Sequence, residues 1–279
     1  MGTTQAKAAD VYGRTYELDE QTLEVMVTRL EARGRHPVFI QSIGDYGEQL
    51  RLSGTESLLE LGCGTGVASR RIALRPDAPG RIVALDISPH LVAAASRLAA
   101  AEGLDGRIDW RVGDAHALGL DEQFDVVLLH TLISHVADPE RVLHQAVGHL
   151  TPGSGRMVVF DADVASLSIA TEAEDGGAES DRLIRKGLFA QPRAVRSLPR
   201  LLRERGMQLA WSRAYAVADI GRPDYFGPLL ASLPILLPKA GVMSEQEARR
   251  FVDELGVMAA RDAFFGVITF HTIIAHRVA

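Results

Sequence analysis

The sequence predicts a doubly wound α/β fold, and three observations predict it. Short apolar runs alternate with helical patterns from residue 57 onward, the order expected of parallel strands joined by helical crossovers. The run Phe124–Leu129 is apolar almost throughout, as in a strand buried on both faces of a sheet. Each run ends in glycine, acid or histidine, and ligands of open α/β sheets collect at those carboxyl ends.

Composition narrows the function classes. The chain has 279 residues, 47% of them hydrophobic, which suits one large α/β domain with insertions or a domain with a lid. The formal net charge is −6 and no long Lys/Arg block is present, which argues against a nucleic-acid groove. Cys63 is the only cysteine, so no internal disulfide can form and a reducing cytoplasm is the expected location. Met1–Asp10 is small and polar, without the features of a leader. The apolar tail Phe264–Ala275 is shorter than a membrane span and carries His271. A small-molecule partner is expected, with no nucleic acid and no membrane span; a homodimer is left open.

Taken in order, residues 1–15 read as a loose arm containing Tyr12 and Arg14. Thr15–Ala32 carries Leu18, Leu23, Val27 and Leu30 on one helical face, with Gly34 closing it. Pro37 opens a second helix. The first strand is Ser57–Leu61, running into Gly62-Cys63-Gly64-Thr65-Gly66 and a helix from Val67. Alternate glycines let backbone approach a ligand closely. A dinucleotide turn needs a third glycine where Val67 stands, which counts against a nicotinamide enzyme.

The second strand, Arg81–Asp86, places Asp86 about twenty residues after the turn, where an acidic side chain can accept from two ribose hydroxyls. Ser88-Pro89 caps the next helix. The third strand, Arg107–Val112, leads into Gly113-Asp114-Ala115; the fourth ends in His130-Thr131-Leu132-Ile133-Ser134-His135. Asp138-Pro139 opens a helix, and the fifth strand is Arg156–Asp161. Beyond it, the polar stretch Glu172–Gly177 reads as a mobile loop, Pro192–Arg205 as a helix and Met207–Val217 as the sixth strand. Pro223–Leu237 and Ser244–Ala260 read as inserted helices, the second opened by the capping box Ser244–Glu247, and Phe264–Arg277 as the seventh strand.

Glu60-Leu61-Gly62-Cys63-Gly64-Thr65-Gly66 resembles the first motif of class I S-adenosylmethionine (SAM) methyltransferases, with Asp86 and Asp114 in the places of the later motifs. The resemblance covers residues 55–165 well; the flanks are similar to ubiquinone- and menaquinone-biosynthesis enzymes only in layout. It implies a Rossmann-like sheet of seven strands, the last antiparallel between the fifth and sixth. The expected organisation is a helical cover over 1–52, a SAM-binding core over 53–165, and completion of the sheet over 166–279, with lid insertions near 166–190 and 221–262.

The resemblance also implies SAM as cofactor, with Glu60, Gly62, Cys63, Gly64, Gly66, Asp86, Ile87, Asp114, Ala115 and His130 beside it. Methyl transfer to a small, partly apolar acceptor follows, O-methylation ahead of N or C. A high-pKa hydroxyl needs a base, for which His135 is the first candidate, ahead of His130 and of Asp161 with Asp163. Tyr16, His36, Asp161 and Tyr225 are the candidate acceptor contacts, and Tyr12 could close over the site with Tyr16 or His36. No metal-ligand spacing is present. The alternatives are non-methylating chemistry such as cyclisation on the same fold, or a catalytically silent SAM-binding protein.

Overall fold

The structure is a computed structural model and describes residues 10–278. Its strands are β1 (Ser57–Leu61), β2 (Arg81–Asp86), β3 (Asp109–Val112), β4 (Val126–His130), β5 (Arg156–Ile169), β6 (Met207–Gly221) and β7 (Phe264–Arg277). They form one seven-stranded sheet in the order β3-β2-β1-β4-β5-β7-β6. β1 to β5 pair in parallel, and β7 runs antiparallel between β5 and β6. Strand order reverses between β1 and β4, and the crevice beyond their carboxyl ends is where such a sheet can hold a ligand.

Because side chains alternate across a strand, the central strands feed two cores. Leu58, Ile82, Val126, Leu128, Val158 and Phe160 face the helices α2 (Pro37–Leu50) and α3 (Val67–Ala73). Leu59, Leu61, Val83, Val127, Leu129 and Val159 face α5 (Pro139–Gly148) and α7 (Ala194–Glu204). Completing the helices, α1 (Glu20–Arg35) crosses α8 (Phe226–Lys239), α4 (Pro89–Ala101) lies against β3, α6 (Ala178–Leu188) follows β5, and α9 (Glu245–Ala260) packs on α8. The caps read in the sequence are formed: Ser88 and Asp138 accept from Leu91 N–H and Arg141 N–H, and Ser244 and Glu247 make the reciprocal capping box. No helix among the described residues is long and apolar enough to cross a membrane.

Four expectations need correction. Residues 10–17 are not a loose arm: Asp10 accepts from the N–H groups of Tyr12 and Gly13 and starts a 3-10 helix, Tyr12–Glu17, that buries Thr15. Residues 1–9 of the expected arm lie outside the described residues. Helix α1 accordingly begins later, at Glu20, capped by Asp19, and continues through Gly34. β5 does not stop at Asp161 but runs to Ile169, bulging between Asp163 and Ser168, where polar residues interrupt the apolar run. The stretch Glu172–Gly177 is a turn organised by Asp175, whose carboxylate accepts from Gly177 N–H and Glu179 N–H as α6 begins.

Candidate active site

The glycine turn is built by φ angles that L side chains rarely adopt: +67° at Gly62, +54° at Gly64 and +75° at Gly66. A Cβ at Gly62 would come within 2.5 Å of Leu132, and one at Gly66 would overlap the Trp110 ring. Gly66 therefore packs the turn onto β3, and it does not line the cleft. The cleft beyond β1, β2 and β4 is lined by Glu60, Gly62, Cys63, Gly64 and Thr65 from the first loop, Asp86 and Ile87 from the second, and Asp114 and Ala115 from the third. His130, Thr131, Leu132 and His135 close it on the β4 side.

Asp86 is 8% exposed. One of its carboxylate oxygens accepts from Gly64 N–H at 2.8 Å and the other from Ser88 N–H at 2.9 Å. In the fold Ser88 caps α4 while Asp86 holds both loops. A carboxylate offers about four acceptor positions, so acceptor capacity remains for a ligand. Burial pushes the Asp86 carboxyl up, while the backbone donors Ser88, Gly64 and Ile87 oppose that shift.

Glu60 accepts from both the N–H and the hydroxyl of Ser69 through one oxygen. Burial lifts its carboxyl to about 7, the Asp86 charge adding to that lift and the Ser69 bonds limiting it. Asp114 accepts from His116 N–H at 2.8 Å and lies 2.7 Å from its Nδ1. Thr65 Oγ1 is buried without a hydrogen-bond partner. An orphaned hydroxyl, spare carboxylate lone pairs and a backbone cradle together fit an adenosyl amino acid.

On the β4 side, the Tyr46 hydroxyl lies 3.2 Å from His130 Nδ1 and Phe160 stacks on the ring at 4.6 Å. Burial, helped by the Arg33 charge, lowers His130 to about 3, so the imidazole is neutral at physiological pH. Thr131 takes φ +57°, an unusual angle for a β-branched residue, and is held there by its N–H to Phe160 C=O and by Arg33, which donates to its hydroxyl at 2.8 Å.

His135 Nδ1 lies 2.7 Å from Asp10 Oδ2, and the Asp10 side chain is 1% exposed. The same carboxylate accepts from Tyr12, Gly13 and Ala190 N–H groups. The His135 ring lies between Tyr12, at 4.9 Å, and Phe189, stacked at 5.0 Å. An imidazole held this way has one nitrogen committed and Nε2 left for chemistry.

The structure does not bring the four candidate acceptor contacts to the cleft. Tyr16 is 68% exposed. His36 and Tyr225 meet edge-on at 5.3 Å, Tyr225 packing over Phe39 and Phe270. Asp161 is buried beneath the β4 loop, where its two oxygens accept from the Ser134 N–H and hydroxyl and from the Ala162 N–H, so its carboxylate is spent on holding the loop. Asp163, weighed with it as a base, is paired with Arg196 at 2.7 Å. The inserted-helix residues Phe226, Leu229 and Leu236 are core. Of the three residues expected to close over the site, Tyr12 lines the cleft and Tyr16 and His36 do not. Sequence reasoning missed Asp10, Arg33, Thr65 and Thr131; a charged residue on an apolar helix face was the one available signal, and Arg33 carried it.

A family profile described as "Methyltransferase domain" matches residues 58–153, the stretch that supplies β1 to β4 and most of the cleft. Residues 58–153 thus carry a methyltransferase domain, of the class I SAM-dependent kind that the glycine turn and sheet order resemble. SAM is the cofactor of that family. Similar proteins include a ubiquinone/menaquinone biosynthesis C-methyltransferase of Dinoroseobacter shibae, 34% identical over 47% of this chain and 51% of that one. The 27-O-demethylrifamycin SV methyltransferase of Amycolatopsis mediterranei is 30% identical over 62% of this chain and 57% of that one. The chain spans between about two fifths and three fifths of the length of the curated relatives it matches. A solved putative methyltransferase from Bacillus halodurans shares the fold, with a TM-score of 0.61, 17% identity, and coverage of 86% of this chain and 100% of that one.

Proposed function

We propose that the protein transfers a methyl group from SAM to a hydroxyl of a small, partly apolar molecule, with His135 as the general base. The observation that carries this reading is the meeting of a ribose-ready carboxylate, Asp86, and an oriented imidazole, His135, in one cleft. When bound, SAM supplies a methyl carbon activated by sulfonium, with the thioether as leaving group.

The chain's own residues would divide the work by chemistry. Asp86 accepts from the ribose hydroxyls with its remaining lone pairs. Asp114 and the Ala115 N–H meet the donor and acceptor edges of adenine. Glu60, ionised, faces the ammonium, and the orphaned Thr65 hydroxyl bonds the amino-acid end. His130, neutral and fixed by Tyr46, forms wall without adding charge beside the sulfonium.

His135 accepts the acceptor's hydroxyl proton at Nε2 as the oxygen bonds to the methyl carbon, and the imidazolium formed is stabilised by Asp10 across 2.7 Å. Tyr12 and Phe189 hold the ring in place and keep water from it. An O-acceptor is favoured over N or C because a positioned base is of most use to a hydroxyl.

The test is calorimetric and chemical. Asp86→Ala should weaken S-adenosylhomocysteine binding by about 1–3 kcal/mol, since ribose donors lose their acceptor. Unchanged affinity would remove Asp86 from the cofactor site. Incubation with SAM and a panel of phenols, amines and carbon acids should release S-adenosylhomocysteine with a phenol. Conversion of an acceptor without that release would assign non-methylating chemistry instead.

A further inference from the structure

One cluster at the Tyr12 end of the cleft has no part in the scheme above. Helix α1 carries Arg29 and Arg33 one turn apart, on the same face. Arg29 is 8% exposed; it donates to the Tyr12 hydroxyl and its guanidinium lies 5.4 Å from the centre of that ring. Arg33 lines the cleft, donates to Thr131 Oγ1 and lies 5.2 Å from the centre of the Phe39 ring.

Among the described residues, neither makes an ion pair with a carboxylate. Arg70, similarly buried, shows the contrast: it sits between Glu31 and Glu102. Two desolvated cations side by side are unfavourable unless an anion joins them. Burial holds the Arg33 guanidinium below its usual range, and Arg29 adds to that shift.

Charge and shape say what that anion belongs to. Two cations exceed what one cofactor carboxylate requires, and in the function proposed above Thr65 with the glycine turn serves the cofactor's amino-acid end. Arg29 sits on Tyr12, and Tyr12 lies against His135, the residue assigned to the acceptor. The surroundings are aromatic, with Tyr12 and Phe39 beneath the two guanidinium groups. Guanidinium groups match carboxylates in a planar, bidentate way.

We propose that the acceptor is an aromatic carboxylate whose anion is held by Arg29 and Arg33 beside the Tyr12 hydroxyl. This deepens the acceptor half of the proposed function and rests on that reading. The aromatic body then lies toward His135, and an apolar neutral molecule of the same outline is discriminated against by the unpaired cations.

The experiment uses benzoate and its neutral counterpart benzamide as probes, titrated into the full-length protein with and without S-adenosylhomocysteine. Benzoate should bind at least about tenfold more tightly than benzamide in both states. Arg29→Gln and Arg33→Gln should each erase most of that preference. Equal binding of the two probes to the wild-type protein, or no binding of benzoate, would overturn the proposal without any variant needing to fold. Decarboxylated S-adenosylhomocysteine separates the other source of a carboxylate. If the Gln variants weaken S-adenosylhomocysteine but not its decarboxylated form, and leave the benzoate preference intact, the arginines serve the cofactor and the proposal fails. Failure of S-adenosylhomocysteine to bind would count against the cofactor site alone, because the probe comparison on the free protein still stands.

Discussion

His135 and Asp10, 125 positions apart in the chain, meet at 2.7 Å with the aspartate sealed from solvent. The carboxylate accepts three backbone N–H groups as well, so it is fixed before it touches the imidazole. This pairing commits His135 Nδ1 and leaves Nε2 as the basic nitrogen. It also makes the 3-10 segment that follows Asp10 part of the site, because the segment delivers Tyr12 to the cleft.

Replacing Asp10 by Asn should therefore disturb chemistry more than cofactor binding. Turnover should fall about 10- to 100-fold, with S-adenosylhomocysteine affinity within twofold of wild type. The ring 15N shifts of His135 give a readout independent of any acceptor: a protonated Nδ1 in the wild type, and a mixture of tautomers in Asp10→Asn. Identical ring shifts in the two proteins would mean that Asp10 does not set the tautomer.

Glu60 makes stability depend on pH in a definite direction. Its carboxyl titrates near 7 in the folded protein against 4.5 for an unperturbed glutamate. Between those values the folded state keeps a proton that the unfolded chain gives up, so this group's contribution to stability falls as pH rises. Glu60→Gln removes the titration, and the variant should gain on the wild type by about 3 kcal/mol between pH 4.5 and 8 in urea unfolding. Affinity for S-adenosylhomocysteine should rise across pH 6 to 8 in the wild type, as Glu60 ionises opposite the ammonium, and rise less in the variant. Parallel curves in both experiments would contradict the assignment.

Gly66 is predicted to matter through packing. An added Cβ meets the Trp110 ring, and φ +75° is unfavourable for alanine. Gly66→Ala should lose about 2–4 kcal/mol of stability, read from chemical denaturation. Gly227→Ala, with open space around the added carbon, is the control and should change little. Equal losses in the two would show that the contact with Trp110 is not what fixes the glycine.

Much of the sheet and one half of the cleft were legible in the sequence because they obey local rules. Apolar runs gave β1, β2 and β7 with their observed ends, and the polar residue closing a run marked Asp86 and His130. The other half depends on distant contacts. Nothing near Asp10 announces His135, and nothing near Thr131 announces Arg33, 98 positions away. Tyr225 looked available because it falls in the inserted helix read over Pro223–Leu237, but the helix starts at Phe226 and the Tyr225 ring packs over Phe39 without lining the cleft. The end of β5 was misplaced because Asp163 looks like a loop residue; the ion pair with Arg196 lets it stay in the strand.

The most direct test is calorimetric titration of the wild-type protein with S-adenosylhomocysteine, repeated with Asp86→Ala. The account predicts saturable binding at one site per chain and a clear loss of affinity in the variant. No binding heat in the wild type, or identical isotherms for the two proteins, would contradict it.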